Sequence, residues 1–504
     1  MKKIILLSLF LFPLCISAQE VQPKITLEKM RLLILPSTAS ERYEEIADRV
    51  TAIVATEATR LGRFEVIDRN HLEAIMGEQA LQLSGIINDS DVVEIGKVAA
   101  APEALLVTIL NFGQKGVPPE DEEEEDKKDR KKAREAGLLG IIAKGVVDAV
   151  IDKELENVER YPNNIQTTLS CEVRKIDLES GQSLDAFSVS IEHTGGNKTA
   201  SLNKVLNQAT WRVSQELREL YLLSSQIVDV RGREVILLLG QNMGLKKGTL
   251  FSISSPSTKR TIGEREIIIP GHQVGIVEVT ELSQDANRGR ILRKWAVIEP
   301  GFPAVESTGG ILAGGLGIKY GTGSTDMGLE FAGFINPLRR LGGSVFLGLG
   351  TLKDSRDDTD FNLRFGGDIY FRLINTIPFS LAASLSLPFN IVFRPDDGEK
   401  MGENEHTVNS IMFSPVVGGR FEIMLNSKTD LVATVGYCLT SQMSKWDYSE
   451  EDNDGESQSQ QAIWENSDAP DIDPTGLYFN IGLRFLIFNA GIGMPSFSDL
   501  RNFR

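Results

Sequence analysis

Strict two-residue alternation of apolar and polar side chains fills the last third of this chain, and it limits the fold more than any other feature. Phe361, Leu363, Phe365, Gly367, Ile369, Phe371 and Leu373 alternate with Asn362, Arg364, Gly366, Asp368, Tyr370 and Arg372. A period of two is that of a strand with two unlike faces. Leu477, Phe479, Ile481, Leu483, Phe485 and Ile487 repeat it around Tyr478, Asn480, Gly482 and Arg484. The same pattern recurs near 311–320, 326–335, 341–352, 379–393, 411–425 and 431–440. Eight strands result, each near the ~10 residues that a tilted strand needs to cross a bilayer. Short connections (Asn336-Pro337, Asn375-Thr376, Asn426-Ser427-Lys428) take turns with mostly longer ones, which grow to Arg394–Thr407 and Lys445–Thr475. Short turns at one end and long loops at the other are the pattern of an outer-membrane barrel. A soluble sandwich would explain the repeat but not the alternation of loop lengths.

The charges say which phase points inward. Lys319, Asp326, Glu330, Arg364, Asp368, Arg372, Arg420, Glu422 and Arg484 all fall on the polar phase. A charge on the lipid face costs roughly 2–4 kcal/mol at the midplane, so these nine are expected to line the lumen. Five are basic and four acidic, a nearly neutral set. Arg364 and its strand neighbours are expected to pair with residues such as Glu330 and Glu422. A barrel of eight strands is just wide enough for its side chains to fill, so it reads as an anchor and not a conduit.

Upstream, the chain divides into further segments. Met1-Lys2-Lys3, an apolar run and Ser17-Ala18 form a signal peptide over 1–18, cleaved before Gln19. Cys15 follows Phe12-Pro13-Leu14 and lacks the small residue that a lipid-anchor site needs. Residues 30–112 alternate strand and helix signals. Leu32-Leu33-Ile34-Leu35 stops at Pro36 as a buried strand does. Tyr43 to Leu61 carries Ile46, Val50, Ile53, Val54 and Ala58 at helical spacing before Gly62. Phe64–Ile67 and Leu105–Leu110 are further strands, with helices over 71–83 and 89–100. Thr167–Ile176 and Ser183–Ile191 form a hairpin about Asp177–Gln182, and 201–223 is a long amphipathic helix. This is an α/β domain over 19–223. An insert at 117–159 interrupts it, with Glu122 to Glu125 followed by Lys127, Lys128, Lys131 and Lys132. Acids before bases suit a solvated helix. Residues 224–305 hold short strands punctuated by Gly232, Gly240, Gly244 and Gly248, the pattern of a small β-barrel or sandwich. The membrane barrel then occupies 306–488, and 489–504 is a periplasmic tail.

Phe64-Glu65-Val66-Ile67-Asp68-Arg69, then Leu72, Ile75, Glu78-Gln79, Leu81, Ser84-Gly85 and Ile95-Gly96-Lys97, resemble the core of the curli production assembly/transport (CsgG-like) family. Val173-Arg174-Lys175-Ile176-Asp177 with Ser180-Gly181 fits the next strands of that family. The resemblance spans about 30–112 and 165–223 and implies a periplasmic fold. Two departures stand out. Ala101-Pro102-Glu103 replaces the family's Gly-Ala-Asp, and the points where curli channels insert membrane hairpins hold a charged helix and the short Gly195-Gly196 segment. Residues 240–248 and 274–279 resemble, more faintly, the C-terminal domain of the flagellar T-ring protein. Both resemblances imply packing into envelope rings or scaffolds.

The chemistry of catalysis is sparse. No two of the three Cys and four His stand at metal-ligand spacing, and no Gly-rich loop ends in a phosphate-cradling Lys-Ser/Thr pair. His71 reads as packed against the α/β core, and His406 and Ser410 carry no mark of a catalytic pair. The acidic loop 445–473 lacks the order of an EF-hand. A net charge of -17 argues against a nucleic-acid partner. The expected protein is therefore a non-enzymatic, cofactor-free, metal-free envelope component with outer-membrane lipid and envelope proteins as partners, a ring of its own copies among them. It would act in assembly or scaffolding. The alternatives are a polypeptide exporter built on a ring, and a barrel enzyme acting on lipid.

Overall fold

A computed structural model describes residues 19–21, 25–36, 43–67, 100–118, 160–239, 243–262, 265–284, 286–394, 406–439, 445–451, 457–462, 464 and 469–490. The helices expected over 71–83 and 89–100, the insert from 119 to 159, His71, the leader 1–18 and residues 491–504 lie outside them.

After a short strand β1 (Gln19–Val21) come β2 (Met30–Pro36), α1 (Glu44–Leu61), β3 (Phe64–Ile67), β4 (Glu103–Gly116), β5 (Ile165–Asp177), β6 (Ser183–Thr194) and α2 (Lys198–Leu220). Five of the strands form one sheet in the order β3-β2-β4-β5-β6, with β2 parallel to both β3 and β4 and the rest antiparallel. The unbroken apolar run of β2 is explained by burial on both faces. Leu32 and Ile34 meet the helices, whereas Leu33 and Leu35 join a second cluster with Ile67, Leu106 and Ile176. Both helices lie on the first face. Gly62 ends α1 at φ 75°, the left-handed conformation that glycine adopts without strain. Asn197 caps α2 by accepting the Ala200 amide at 2.9 Å, and Val205, Ala209, Val213 and Leu217 form its buried stripe. The β5–β6 turn is set by Asp177, whose carboxylate accepts the amides of Glu179 (2.9 Å) and Ser180 (2.7 Å).

The next strands are β7 (Ser224–Arg231), β8 (Glu234–Leu237), β9 (Leu250–Ser254), β10 (Ser257–Ile262), β11 (Arg265–Ile269), β12 (Gln273–Glu281), β13 (Asn287–Lys294) and β14 (Pro303–Ser307). Six of them close into a small barrel, β12-β13-β8-β7-β14-β9, around Phe251, Ile253, Val277 and Ile291. Of the two shapes the sequence allowed, the barrel is the one formed. The β10–β11 hairpin leaves it and makes a separate three-stranded sheet with β1.

The last third supplies β15 (Gly310–Gly321), β16 (Met327–Ile335), β17 (Leu341–Lys353), β18 (Thr359–Asn375), β19 (Phe379–Arg394), β20 (His406–Phe413), β21 (Val416–Met424), β22 (Thr429–Cys438), β23 (Asp447–Glu451), β24 (Ser457–Gln461) and β25 (Gly476–Ala490). Eight of these close antiparallel through β15-β16-β17-β18-β19-β21-β22-β25, with β25 returning to β15. This is the eight-stranded barrel that the alternation predicts, and it is turned inside out. Ile318 and Ile481, partners in register, point outward at 56% and 54% exposure, while Lys319 and Arg484 on the same two strands are 1% and 2% exposed. The remaining strands extend the wall at the long-loop end, where β20 pairs with β19 and β23, and β23 pairs with β24.

Candidate functional site

The lumen is the site the sequence marks, and it divides into three levels. At the short-turn end, Glu422 gathers three guanidinium groups: Arg372 at 2.7 Å, Arg484 at 2.8 Å and Arg420 at 3.0 Å. Ser380 donates a further bond at 3.0 Å. Arg484 also reaches Asp430 at 2.8 Å, and Arg372 is tied to the carbonyls of Pro337 (2.5 Å) and Arg339. All these side chains are at most 5% exposed. Charges so desolvated persist because most of their lone pairs and N–H groups find partners, with Arg420 Nη2 the buried exception.

In the middle, the charges are spread out. Lys319 pairs with Asp326 at 2.6 Å, Glu330 accepts from Asn480 at 3.0 Å, and Asp368 accepts from Ser344 at 2.8 Å. Arg364 departs from expectation: among the described residues it makes no ion pair. Its guanidinium lies over the rings of Phe346 and Tyr478, 5.1 and 5.0 Å from their centroids, and its Nε and Nη2 lack a partner. Arg372, further along the same strand toward the short turn, takes the Glu422 pairing instead. Between Glu330, Asp368, Arg420, Thr434 and Tyr478 is a cavity of about 40 Å³. That is space for a few waters and no polypeptide.

At the long-loop end, Arg394 bonds Asp360 at 2.9 and 3.0 Å, bonds Asp354, and lies over Trp446 and Trp464 at 4.9 and 5.3 Å. Trp446 donates to the Pro470 carbonyl at 2.9 Å and packs with Leu352, Val392, Met412 and Ile472. Ser410 is buried and donates to the Lys445 carbonyl at 2.7 Å. No group of three metal-ligating side chains occurs among the described residues. Cys171 and Cys438 are both free and buried.

Of the nine charged residues read from the sequence, seven are buried and Asp326 and Asp368 are half-buried, and two further members of the network were missed. Asp430 lies at the first turn of β22, just before the expected start of that strand at 431. Arg293 comes from another domain altogether. It leaves β13 of the small barrel and enters the mouth of the large one, bonding Asp430 at 2.7 Å and the carbonyls of Ser427 (2.8 Å) and Asn426 (2.5 Å). Burial pushes its guanidinium below the ordinary arginine value, and the Asp430 carboxylate opposes that shift. Around it Arg339 bonds Glu278 at 2.7 Å, Arg233 bonds the Asn375 carbonyl, and Trp295 stacks on Phe488. All three short turns thus touch the small barrel. A second junction holds the α/β domain. Glu306 of β14 accepts from Arg63 at 2.6 Å and Arg218 at 2.9 Å, and Gly62 meets Gly244 backbone to backbone.

Comparison with known proteins adds the following. Residues 32–116 match the family described as curli production assembly/transport component CsgG. No curated protein matches the chain. Among solved structures, a major outer membrane protein from Thermus thermophilus is 15% identical, with 35% of this chain covering 99% of that one at a TM-score of 0.27. The N-terminal β-barrel domain of Pseudomonas aeruginosa OprF is 9% identical, with 36% covering 98% at 0.22. A lipoprotein from Neisseria meningitidis is 14% identical, with 38% covering 99% at 0.20.

Proposed function

We infer that this is a non-enzymatic outer-membrane anchor that holds its α/β and small β domains as a fixed periplasmic platform for assembly or scaffolding of an envelope complex. Arg293 carries the reading. A periplasmic side chain completes the charge network that closes the barrel, so plug and platform are one bonded unit. The apolar outer face, the filled lumen and the CsgG-type match to residues 32–116 support an envelope location. The short turns and the N-terminal domains then share the periplasmic side, and the long loops face outward. The likeness of residues 225–300 to the flagellar T-ring domain, carried by sequence motifs alone, agrees with a scaffold.

Purified protein in planar bilayers tests the reading. An anchor gives no large stable conductance, even where light scattering finds oligomers. A nanosiemens-scale pore that survives deletion of residues 306–504 sinks it in favour of the exporter.

A further inference from the structure

The β10–β11 hairpin is the most exposed apolar element outside the barrel wall. Every residue of β11 is exposed. Ile262, Ile267, Ile268 and Ile269 are 60%, 43%, 55% and 41% exposed. Register sets Ile267 and Ile269 on one face, beside Arg260 and Thr258, and Ile268 on the other, beside Lys259. Exposed isoleucine thus occurs on both faces, most of it on the face of Ile262, Ile267 and Ile269. The outer edge of β11 pairs with no described strand.

The root of this hairpin fixes where it is. It joins Ser254 of β9 to Gln273 of β12, which are partners in register. Gln273 lines a groove shared with Gly310, Ile311 and Phe488, at the short-turn rim of the membrane barrel. Trp295 donates to the Gln273 carbonyl at 2.7 Å while stacking on Phe488. Val297, two residues on, is 68% exposed. A tryptophan, an exposed valine and an isoleucine-rich hairpin therefore adjoin the rim from which the lipid-facing band begins.

We propose that the β10–β11 hairpin, with Trp295 and Val297 at its root, dips into the periplasmic leaflet of the same bilayer that the barrel spans. The proposal rests on the membrane reading of the barrel. A protein partner laid on the face of Ile262, Ile267 and Ile269 would leave Ile268 in water, whereas immersion covers it as well. Lys259, Arg260 and Arg265 outnumber Glu264 and Glu266 in the hairpin sequence, which suits anionic phospholipid headgroups. Tryptophan favours the same interface. The open edge of β11 limits the depth. Unpaired backbone groups are tolerated in the hydrated headgroup zone but not in the hydrocarbon core, so the hairpin enters about 5–10 Å as interfacial elements do.

The test uses the full chain in phospholipid vesicles, with an environment-sensitive fluorophore on single introduced cysteines. Ile268→Cys reports the hairpin, Ile481→Cys the barrel wall and Ser183→Cys the exposed α/β domain, Cys171 and Cys438 being buried. Nitroxide-bearing lipids should quench the labels at 268 and 481 at least several-fold more than the label at 183. Quenching at 481 but not at 268 overturns the hairpin proposal and leaves the barrel standing. Quenching at neither overturns both. Efficient chain-to-chain disulfides at 268, with no lipid quenching, would assign the surface to a second copy instead. Where labelling at 268 disturbs folding, Val297→Cys serves as the probe. Its quenching should disappear when Ile267, Ile268 and Ile269 are all changed to Asp, while heat-modifiable migration of the barrel persists; unchanged quenching overturns the proposal.

Discussion

Glu422 and Arg364 occupy one lumen but differ in what their loss exposes. Removing the Glu422 charge leaves three buried guanidinium groups facing one another, so Glu422→Gln should destabilise the barrel by ~3–5 kcal/mol. Arg364 lies on aromatic rings with no carboxylate in pairing range. Arg364→Met keeps the packing and should cost at least about 2 kcal/mol less, because it breaks no direct ion pair. Urea midpoints in detergent compare the two, and equal losses would show that Arg364 is paired after all. A second residue-level prediction concerns acid. The Ser180 amide and hydroxyl, then the Glu179 amide, hold the Asp177 carboxyl below its ordinary value. A depressed folded value stabilises above the unfolded value of about 3.9 and is lost as pH falls through the folded one. The stability gap between wild type and Asp177→Asn should therefore shrink as pH is lowered below about 4, as followed by urea unfolding at each pH. A constant gap would remove ionisation from the turn's role. Inward-facing charges were legible in sequence because a membrane wall forbids them the other phase. Their pairings were not, since which carboxylate an arginine meets depends on register across the lumen. Arg293 gave no signal, because domain docking leaves no local pattern.

At the scale of elements, what the sequence reveals depends on periodicity. The eight wall strands and α1 with its Gly62 stop were readable because one face of each is uniformly apolar. The strands β23 and β24 were not, since their sequences alternate nothing apolar. The expected single strand over 411–425 is two, β20 and β21. Pro415 between them has no N–H to give the ladder, and above that break β20 leaves β21's line to pair with β23. The close approach of α1 to the small barrel depends on Gly244, which has φ 70°. A Cβ placed there would stand 1.8 Å from the Leu61 carbonyl oxygen. Gly244→Ala should separate the two domains at a cost of at least ~1–3 kcal/mol, seen as faster proteolysis between residues 223 and 250. Cleavage at the wild-type rate would mean that the contact is dispensable.

For the molecule as a whole, the folded domains at the short-turn end make a prediction of sidedness. A cysteine at Ser457, on β24 of the long-loop extension, should react with an impermeant maleimide on intact cells. One at Ser427, in the turn that Arg293 grips, should react only after the outer membrane is opened. The opposite pattern would turn the protein over. The junction of the two barrels also has a mechanical consequence. Only Thr308 and Gly309 separate β14 from β15. A pull on the N-terminal domains therefore finds no slack to take up. It divides at once between the main chain at that junction and the side-chain contacts across it, the Arg293–Asp430 bond in the barrel's mouth among them. The compliance of such a connection is that of a folded interface rather than of a tether, so tension applied to those domains would be felt at the barrel's mouth without first straightening a linker.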